Sequence, residues 1–276
     1  MRAWSPGHVA GSLLRAAAGW RDRAWIAAYL LDRRGPRALR RLFEGPAHRE
    51  AALRLHGLSG PLHLTADTGG LATYYEIVCQ RIYAPNRTFE PGAGDTVIDV
   101  GANIGVFSLW AASRIGPHGR LVAVEPHPLS YRHLERNLAA FAPAALALQT
   151  ACGASTGELD LHFVPGRLSV SSFEPRPDRV GHVRVPVRRL DEIADQAGVD
   201  RIDLLKIDVE GAEQLVLEGA GEMLSRVARL VIEIEAESQP WLERRLAEFG
   251  LHPVARRRGM WGLASANVAA FERPGG

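Results

Sequence analysis

The residues best placed to do chemistry are acids that close apolar stretches. Glu125 follows Leu121-Val122-Ala123-Val124, Asp208 follows Leu204-Leu205-Lys206-Ile207, and Glu233 and Glu235 end the stretch 230–235. Short runs rich in Val, Ile and Leu read as strands buried on both faces, as in a parallel sheet. Ligands of such sheets bind beyond the carboxyl ends of the strands, so these acids are expected on one side of the molecule. Lys206 interrupts a core strand, and a buried charge needs a partner; a neighbouring carboxylate would supply it. Glu210 and Gly211 come just after Asp208, and Glu213 opens the next helix. Glu233 and Glu235 are two apart, so they project from one face. A carboxylate can take a proton from a reacting hydroxyl or ligate magnesium or calcium. Asp208 and Glu233 suit either use.

A second constellation begins at Asp95. Asp95-Thr96-Val97-Ile98-Asp99-Val100-Gly101-Ala102-Asn103-Ile104-Gly105 reads as a strand, a glycine turn and the start of a helix. Gly101 stands where a side chain would obstruct a tight turn or a ligand. Asn103 is expected to cap the helix through its side-chain oxygen, and unpaired N–H groups at a helix start attract an anion. The helix, over 106–115, stops at Gly116-Pro117-His118-Gly119. Strand 121–124 then ends at Glu125-Pro126. In nucleotide-binding βαβ units an acid at that place accepts from ribose hydroxyls and disfavours a 2′-phosphate. A dinucleotide's pyrophosphate calls for G-x-G-x-x-G, but here side chains fill the middle of the turn. S-adenosylmethionine has only a carboxylate and an amine at that end, and a looser turn suffices for it. The alternatives are an NAD-dependent oxidoreductase, which leaves 206–213 unexplained, and a non-catalytic binding module of the same fold.

Three segments now stand together: Asp99-Val100-Gly101-Ala102-Asn103-Ile104-Gly105, Glu125-Pro126, and Lys206-Ile207-Asp208-Val209-Glu210-Gly211-Ala212-Glu213. In combination they resemble the FkbM-type S-adenosylmethionine-dependent methyltransferases, over roughly residues 65 to 272. The resemblance implies an α/β class I methyltransferase (Rossmann-like) fold, a seven-stranded sheet whose last strand is antiparallel. It also implies methyl transfer, usually to a hydroxyl of a sugar, glycan or secondary metabolite. By that resemblance Asp99, Gly101, Ala102, Asn103, Gly105, Glu125, Pro126 and Cys152 surround the cofactor, Cys152 by ending the third strand beside the adenine. Asp208 is the first choice for the acceptor side, with Glu210 and Glu233 behind it and Lys206 orienting or tuning the acidic group. Glu235 stands where the family often has His, and Arg189 precedes Leu190-Asp191 where Thr is common. Both departures bear on the acceptor.

Composition sets the frame. A chain of 276 residues, 46% hydrophobic and 23% charged, suits one domain of good size with an extension, or two small domains. A net charge of +2 gives no reason to expect nucleic acid. Every basic residue but Lys206 is arginine, which with abundant Ala, Gly and Leu fits a GC-rich bacterial genome. Two cysteines, Cys79 and Cys152, make neither a metal cluster nor a disulfide framework, so a reducing cytoplasm is the default. No apolar run approaches a membrane span. The run 24–31 lacks a cleavage site, so no signal peptide is expected. The implied partner is a small-molecule or glycan acceptor, and a homo-oligomer is compatible with the sequence.

Residues 1–56 form a helical extension, with Leu13, Leu14, Ala17, Trp20, Ala24 and Ala28 at near-helical spacing. Gly35-Pro36 breaks it, and a second stretch runs through Leu39, Leu42 and Phe43. Its arginines face water, a membrane surface or a partner. Residues 57–276 form the methyltransferase domain. A hairpin spans 53–65, and its His56 and His63 lack a third metal ligand. A helix over 73–83 carries Tyr75 and Tyr83, which pack or touch cofactor or acceptor. Helix 128–141 and strands 145–151, 158–164 and 183–187 follow. The loop 165–182, with Ser169, Ser171 and Ser172, is an acceptor-side flap or a disordered insertion. Helices over 190–197, 215–224 and 241–249 lead to strands 251–256 and 268–271. Between these, Arg256-Arg257-Arg258-Gly259-Met260-Trp261-Gly262 is a basic acceptor contact or a solvated turn.

Overall fold

A computed structural model describes residues 6–34, 50–65, 68–142, 144–164, 167–173, 177, 180–234, 238–258 and 267–274. Along the chain run α1 (Pro6–Ala16), α2 (Trp20–Arg34), β1 (Ala51–Leu53), β2 (Leu62–Leu64), α3 (Gly70–Tyr74), β3 (Thr96–Val100), α4 (Val106–Ile115) and β4 (Arg120–Val124). Then come α5 (Pro128–Phe141), β5 (Leu146–Leu148), β6 (Ala151–Cys152), β7 (Gly157–Val164), β8 (Arg167–Ser172), β9 (Gly181–Arg188) and α6 (Leu190–Gln196). The chain closes with β10 (Ile202–Ile207), α7 (Glu213–Ala220), β11 (Val227–Ile234), α8 (Gln239–Glu248), β12 (His252–Arg258) and β13 (Asn267–Glu272).

The apolar strands build a seven-stranded sheet in the order β12-β13-β11-β10-β3-β4-β5. β5, β4, β3, β10 and β11 are parallel, and β13 runs antiparallel to β11 and β12. This is the class I methyltransferase sheet that the resemblance implied. Successive residues of β3 feed opposite cores, as a strand covered on both faces must. Val97 packs with Phe107 and Trp110 of α4, whereas Ile98 and Val100 pack with Leu190 of α6 and Leu217 of α7.

Four local expectations change. The first helical run is broken at 17–19. Ala17 bridges to Leu55, Ala18 N–H donates to the Arg54 carbonyl at 2.9 Å, and Gly19 N–H donates to the Asp22 carboxylate at 3.2 Å, which starts α2 afresh. A strand, β1, also lies inside the stretch expected to be helical. Val9, Leu13 and Ala16 of α1 belong to the same hydrophobic cluster as Leu53, Leu55 and Trp110.

The helix expected over 73–83 ends early. α3 passes into a π-helical turn, Tyr75–Cys79, and Arg81 stops it in the left-handed region, at φ 53°. The third strand divides: β5 stays in the main sheet, and the Thr150 hydroxyl donates to the Pro186 carbonyl at 3.0 Å. β6 joins a second sheet in the order β6-β9-β7-β8. Lastly, the expected loop 165–182 contains β8, antiparallel to β7. The expectations for 35–49, Glu235, the Ser169 side chain and 259–262 lie outside the described residues.

Candidate active site

The glycine turn is shaped by backbone. Gly101 and Ala102 N–H groups donate to the Val124 carbonyl at 2.9 and 3.0 Å, tying β3's end to β4's. Gly101 has φ +77°, and a Cβ on it would sit 1.8 Å from the Asp208 carbonyl oxygen. Of the two reasons for glycine here, the tight approach is the one that applies: Asp208 N–H donates to the Val100 carbonyl at 3.0 Å and lays its peptide on Gly101. Asn103 does not cap α4. It adopts φ 50°, a conformation asparagine tolerates, and left-handed Gly105 precedes the helix instead.

Glu125 closes β4 as expected and is buried. Its Oε2 accepts from Asn103 N–H at 2.8 Å and its Oε1 from His127 N–H at 2.8 Å. Burial pushes its carboxyl up to about 7, against the pull of those two donors and of Lys206. Each oxygen keeps a further lone pair, so the group can still accept from hydroxyls. The Asn103 Oδ1 is buried without a partner, an acceptor that a bound ligand's ammonium or hydroxyl can satisfy. This orphan acceptor beside Glu125 fits the amine and the ribose hydroxyls of S-adenosylmethionine. Ala102 is buried and Pro126 is half-buried beside them.

Asp99 lies deeper than the sequence implied. It pairs in register with Lys206 on the adjacent strand. Lys206 Nζ sits 2.9 Å from Asp99 Oδ1, with the side chains 2% and 0% exposed. Ser108 donates to the other Asp99 oxygen at 2.6 Å, and Lys206 also donates to the Gly101 carbonyl at 2.8 Å. Burial alone would lower the ammonium, but Asp99, Asp208 and Glu233 together raise it. Asp99 therefore anchors the lysine from beneath the turn. Cys152 is set apart: burial pushes its thiol up to about 12, and it packs with Val124 and Val216.

Above Lys206 the acids gather. The Lys206 Nζ is 3.7 Å from Asp208 Oδ2, and Asp208 is 26% exposed, so this carboxylate is reachable from outside. Tyr83 donates to Asp208 Oδ2 at 2.9 Å and lies 3.3 Å from Glu233 Oε2. The Tyr83 and Phe107 rings lie over the Lys206 ammonium at 5.6 and 5.9 Å, within cation–π range. Burial, then Asp208, Glu210 and Glu76, push Glu233 up to about 10. Glu210, just past β10, has φ 53° and lies close enough to Glu233 to raise it.

Glu76 escaped the sequence reading. It sits on the π turn, and burial followed by the Asp208 charge pushes it up to about 7. π turns concentrate at functional sites. The available signal was a lone acid inside the apolar run 73–79.

Among the described residues, no group of three or more His, Cys, Asp or Glu is placed to hold a metal ion. The arginines at 256 and 257 already have partners within the chain. Arg256 pairs with Glu243, and Arg257 donates to the carbonyls of Gln80, Arg81 and Pro85, pinning the segment that carries Tyr83. No helix among the described residues is long and apolar enough to cross a membrane.

Comparison with known proteins shows the family. A sequence profile of the Methyltransferase FkbM domain matches residues 99–253. Methyltransferase sdnD of Sordaria araneosa is 32% identical, over 60% of this chain and 76% of that protein. The 31-O-demethyl-FK506 methyltransferase FkbM of Streptomyces tacrolimicus is 29% identical, over 58% of this chain and 73% of its own. AMB antimetabolite synthetase AmbE of Pseudomonas aeruginosa is 31% identical over 58% of this chain, which spans only 9% of AmbE. The crystal structure of Methyltransferase FkbM from Methylobacillus flagellatus KT shares the fold at TM-score 0.51 and 14% identity, over 96% of this chain and 58% of that one. The matched span holds the glycine turn, Glu125, Lys206, Asp208 and Glu233, and the chain belongs to the FkbM methyltransferase family.

Proposed function

We propose that this protein transfers a methyl group from S-adenosylmethionine to a hydroxyl of a small-molecule or glycan acceptor. The observation that carries the proposal is adjacency. The accessible carboxylate of Asp208 belongs to the residue whose peptide packs on Gly101 of the turn. In this reading the base and the cofactor cradle stand at one place. The name of the Streptomyces relative, a 31-O-demethyl-FK506 methyltransferase, supports oxygen as the receiving atom.

In this reading Asn103 and the turn hold the methionine end, and Glu125 accepts from the ribose hydroxyls. Bound S-adenosylmethionine supplies a methyl on a sulfonium, whose displacement leaves a neutral thioether. The chain's own residues align the acceptor and accept its proton. Alignment supplies much of the rate, and Asp208 removes the hydroxyl proton as general base. Lys206, fixed by Asp99, keeps a positive charge beside that carboxylate. Calorimetric titration of the purified protein with S-adenosylmethionine and with NAD tests the reading. Binding of the first and not the second is expected; the reverse would overturn it.

A further inference from the structure

One hydroxyl serves two carboxyl groups in this site. Tyr83 Oη is 2.9 Å from Asp208 Oδ2 and 3.3 Å from Glu233 Oε2. A phenol has a single proton to donate. If both carboxyls were ionised, the second would face the phenol oxygen with no hydrogen between them. The contacts are satisfied together only when one carboxyl is protonated and donates to the phenol while the phenol donates to the other. The shorter contact marks Asp208 as the acceptor. The charges around the pair agree. Lys206 Nζ stands 3.7 Å from Asp208 Oδ2, which favours the anion there. Glu233 faces Asp208, Glu210 and Glu76, which disfavour an anion, and burial adds to their effect.

The phenol is itself fixed. Burial, then Asp208 and Glu233, hold it protonated far above its usual range. Its ring meets Phe107 edge-on at 5.8 Å, and Arg257 ties down the carbonyls on both sides of it. Among the described residues, the charged groups set against the pair are Lys206, held by Asp99, Glu76 on the π turn and Glu210 just past β10.

We propose that Tyr83 is a positioning residue for the transfer: its hydroxyl keeps the one proton of the Asp208–Glu233 pair on Glu233 and leaves Asp208 ionised toward the acceptor. The inference rests on the reading of Asp208 as the base. In the transfer the acceptor O–H bond breaks, its proton passes to Asp208, and the new O–C bond takes the methyl from sulfur, which keeps the electron pair. Glu233 holds its own proton throughout. Separating the two carboxyls in this way is how one site obtains a neutral acid and an ionised base at the same pH.

The test needs no acceptor. The full chain is labelled with ¹³C at the side-chain carboxyls of Asp and Glu, and its spectra are followed from acid to about pH 8. The expected result is one glutamate still protonated at the upper end, absent from Glu233→Gln. In Tyr83→Phe, which keeps the ring, the proton is expected to spread to an aspartate, seen as a new protonated aspartate signal lost in Tyr83→Phe with Asp208→Asn. Two findings would overturn the proposal: both carboxyls ionised in the wild type, or Glu233 remaining the sole holder of the proton in Tyr83→Phe. The first finding stands even where Tyr83→Phe fails to fold. Once an acceptor is in hand, Tyr83→Phe is expected to lower kcat roughly 10–100-fold, the worth of a hydrogen bond to a charged group. The rising limb of its pH profile should move to higher pH, with S-adenosylmethionine affinity little changed. A full rate with a displaced proton would spare the coupling and count against Asp208 as the base.

Discussion

The two halves of the site are made in opposite ways. The half around Gly101 and Glu125 comes from one short span of chain, and backbone groups complete it: two peptide N–H groups on the Val124 carbonyl and two on the Glu125 carboxylate. The half around Asp208 draws Glu76 and Tyr83 from ahead of the sheet and Glu233 from β11. Its contacts are between side chains, and carboxyls crowd there against their mutual repulsion. The first half is what a fold gets from local geometry. The second is held against its own electrostatics, the pattern expected where a site's chemistry sets the arrangement. The comparison also separates two meanings of burial. Lys206 and Asp99 are buried as a matched pair, whereas Glu233 is half-buried among groups of its own sign.

The comparison can be broken at its seam. Gly101→Val would push a side chain into the Asp208 carbonyl and demand a positive φ of a β-branched residue. A loss of more than about 4 kcal/mol in denaturant unfolding is expected, the range reserved for such collisions. Near-normal stability would show that the turn was kept open for the ligand instead.

On the cofactor half, Glu125→Gln replaces two accepting oxygens by one and adds a donor facing peptide N–H groups. Affinity for S-adenosylmethionine, by calorimetry, should fall by roughly 1–3 kcal/mol. An unchanged affinity in the folded variant would remove Glu125 from the ribose.

On the acceptor half the sign reverses. An unfolded glutamate titrates near 4.3, and the folded Glu233 is held at about 10. The folded state keeps the proton, so the stability tied to it is full below the lower value and is lost as pH rises through the upper one. Glu125 and Glu76, each pushed up to about 7, act in the same direction. Glu233→Gln has no charge to bury and should melt above the wild type. The gap should grow from about pH 5 upward and reach on the order of 5 kcal/mol at about pH 8. A melting temperature below the wild type at that pH would mean that Glu233 is ionised and paired.

How much was legible follows the same division. β3, the turn, α4, β4 and Glu125 were readable because the period of the apolar residues, the glycines and the acid all lie within one βαβ unit. The strand register that sets Lys206 against Asp99 was only half readable. A buried lysine demands a carboxylate, but which one depends on the pairing of β10 with β3. Asp99, expected at the cofactor, has its carboxylate engaged by Lys206 and Ser108. Glu76 could not be placed, because a π turn shifts the facing of a residue and leaves no mark in the hydrophobic pattern. The division of the third strand at Thr150, which moves Cys152 into the second sheet, was hidden for a related reason. It depends on the carbonyl of Pro186, far along the chain.

In the proposed reaction Asp208 takes the acceptor's proton beside a cofactor turn that does not depend on its charge. The direct measurement is methyl transfer by wild type and Asp208→Asn across a panel of hydroxylated sugars and secondary metabolites, read as release of S-adenosylhomocysteine. S-adenosylmethionine affinity is measured in parallel. On an acceptor that the wild type methylates, turnover by Asp208→Asn should fall by roughly 10²–10⁴, with cofactor affinity nearly unchanged. A folded Asp208→Asn that binds the cofactor and turns over at the wild-type rate would contradict this role of Asp208.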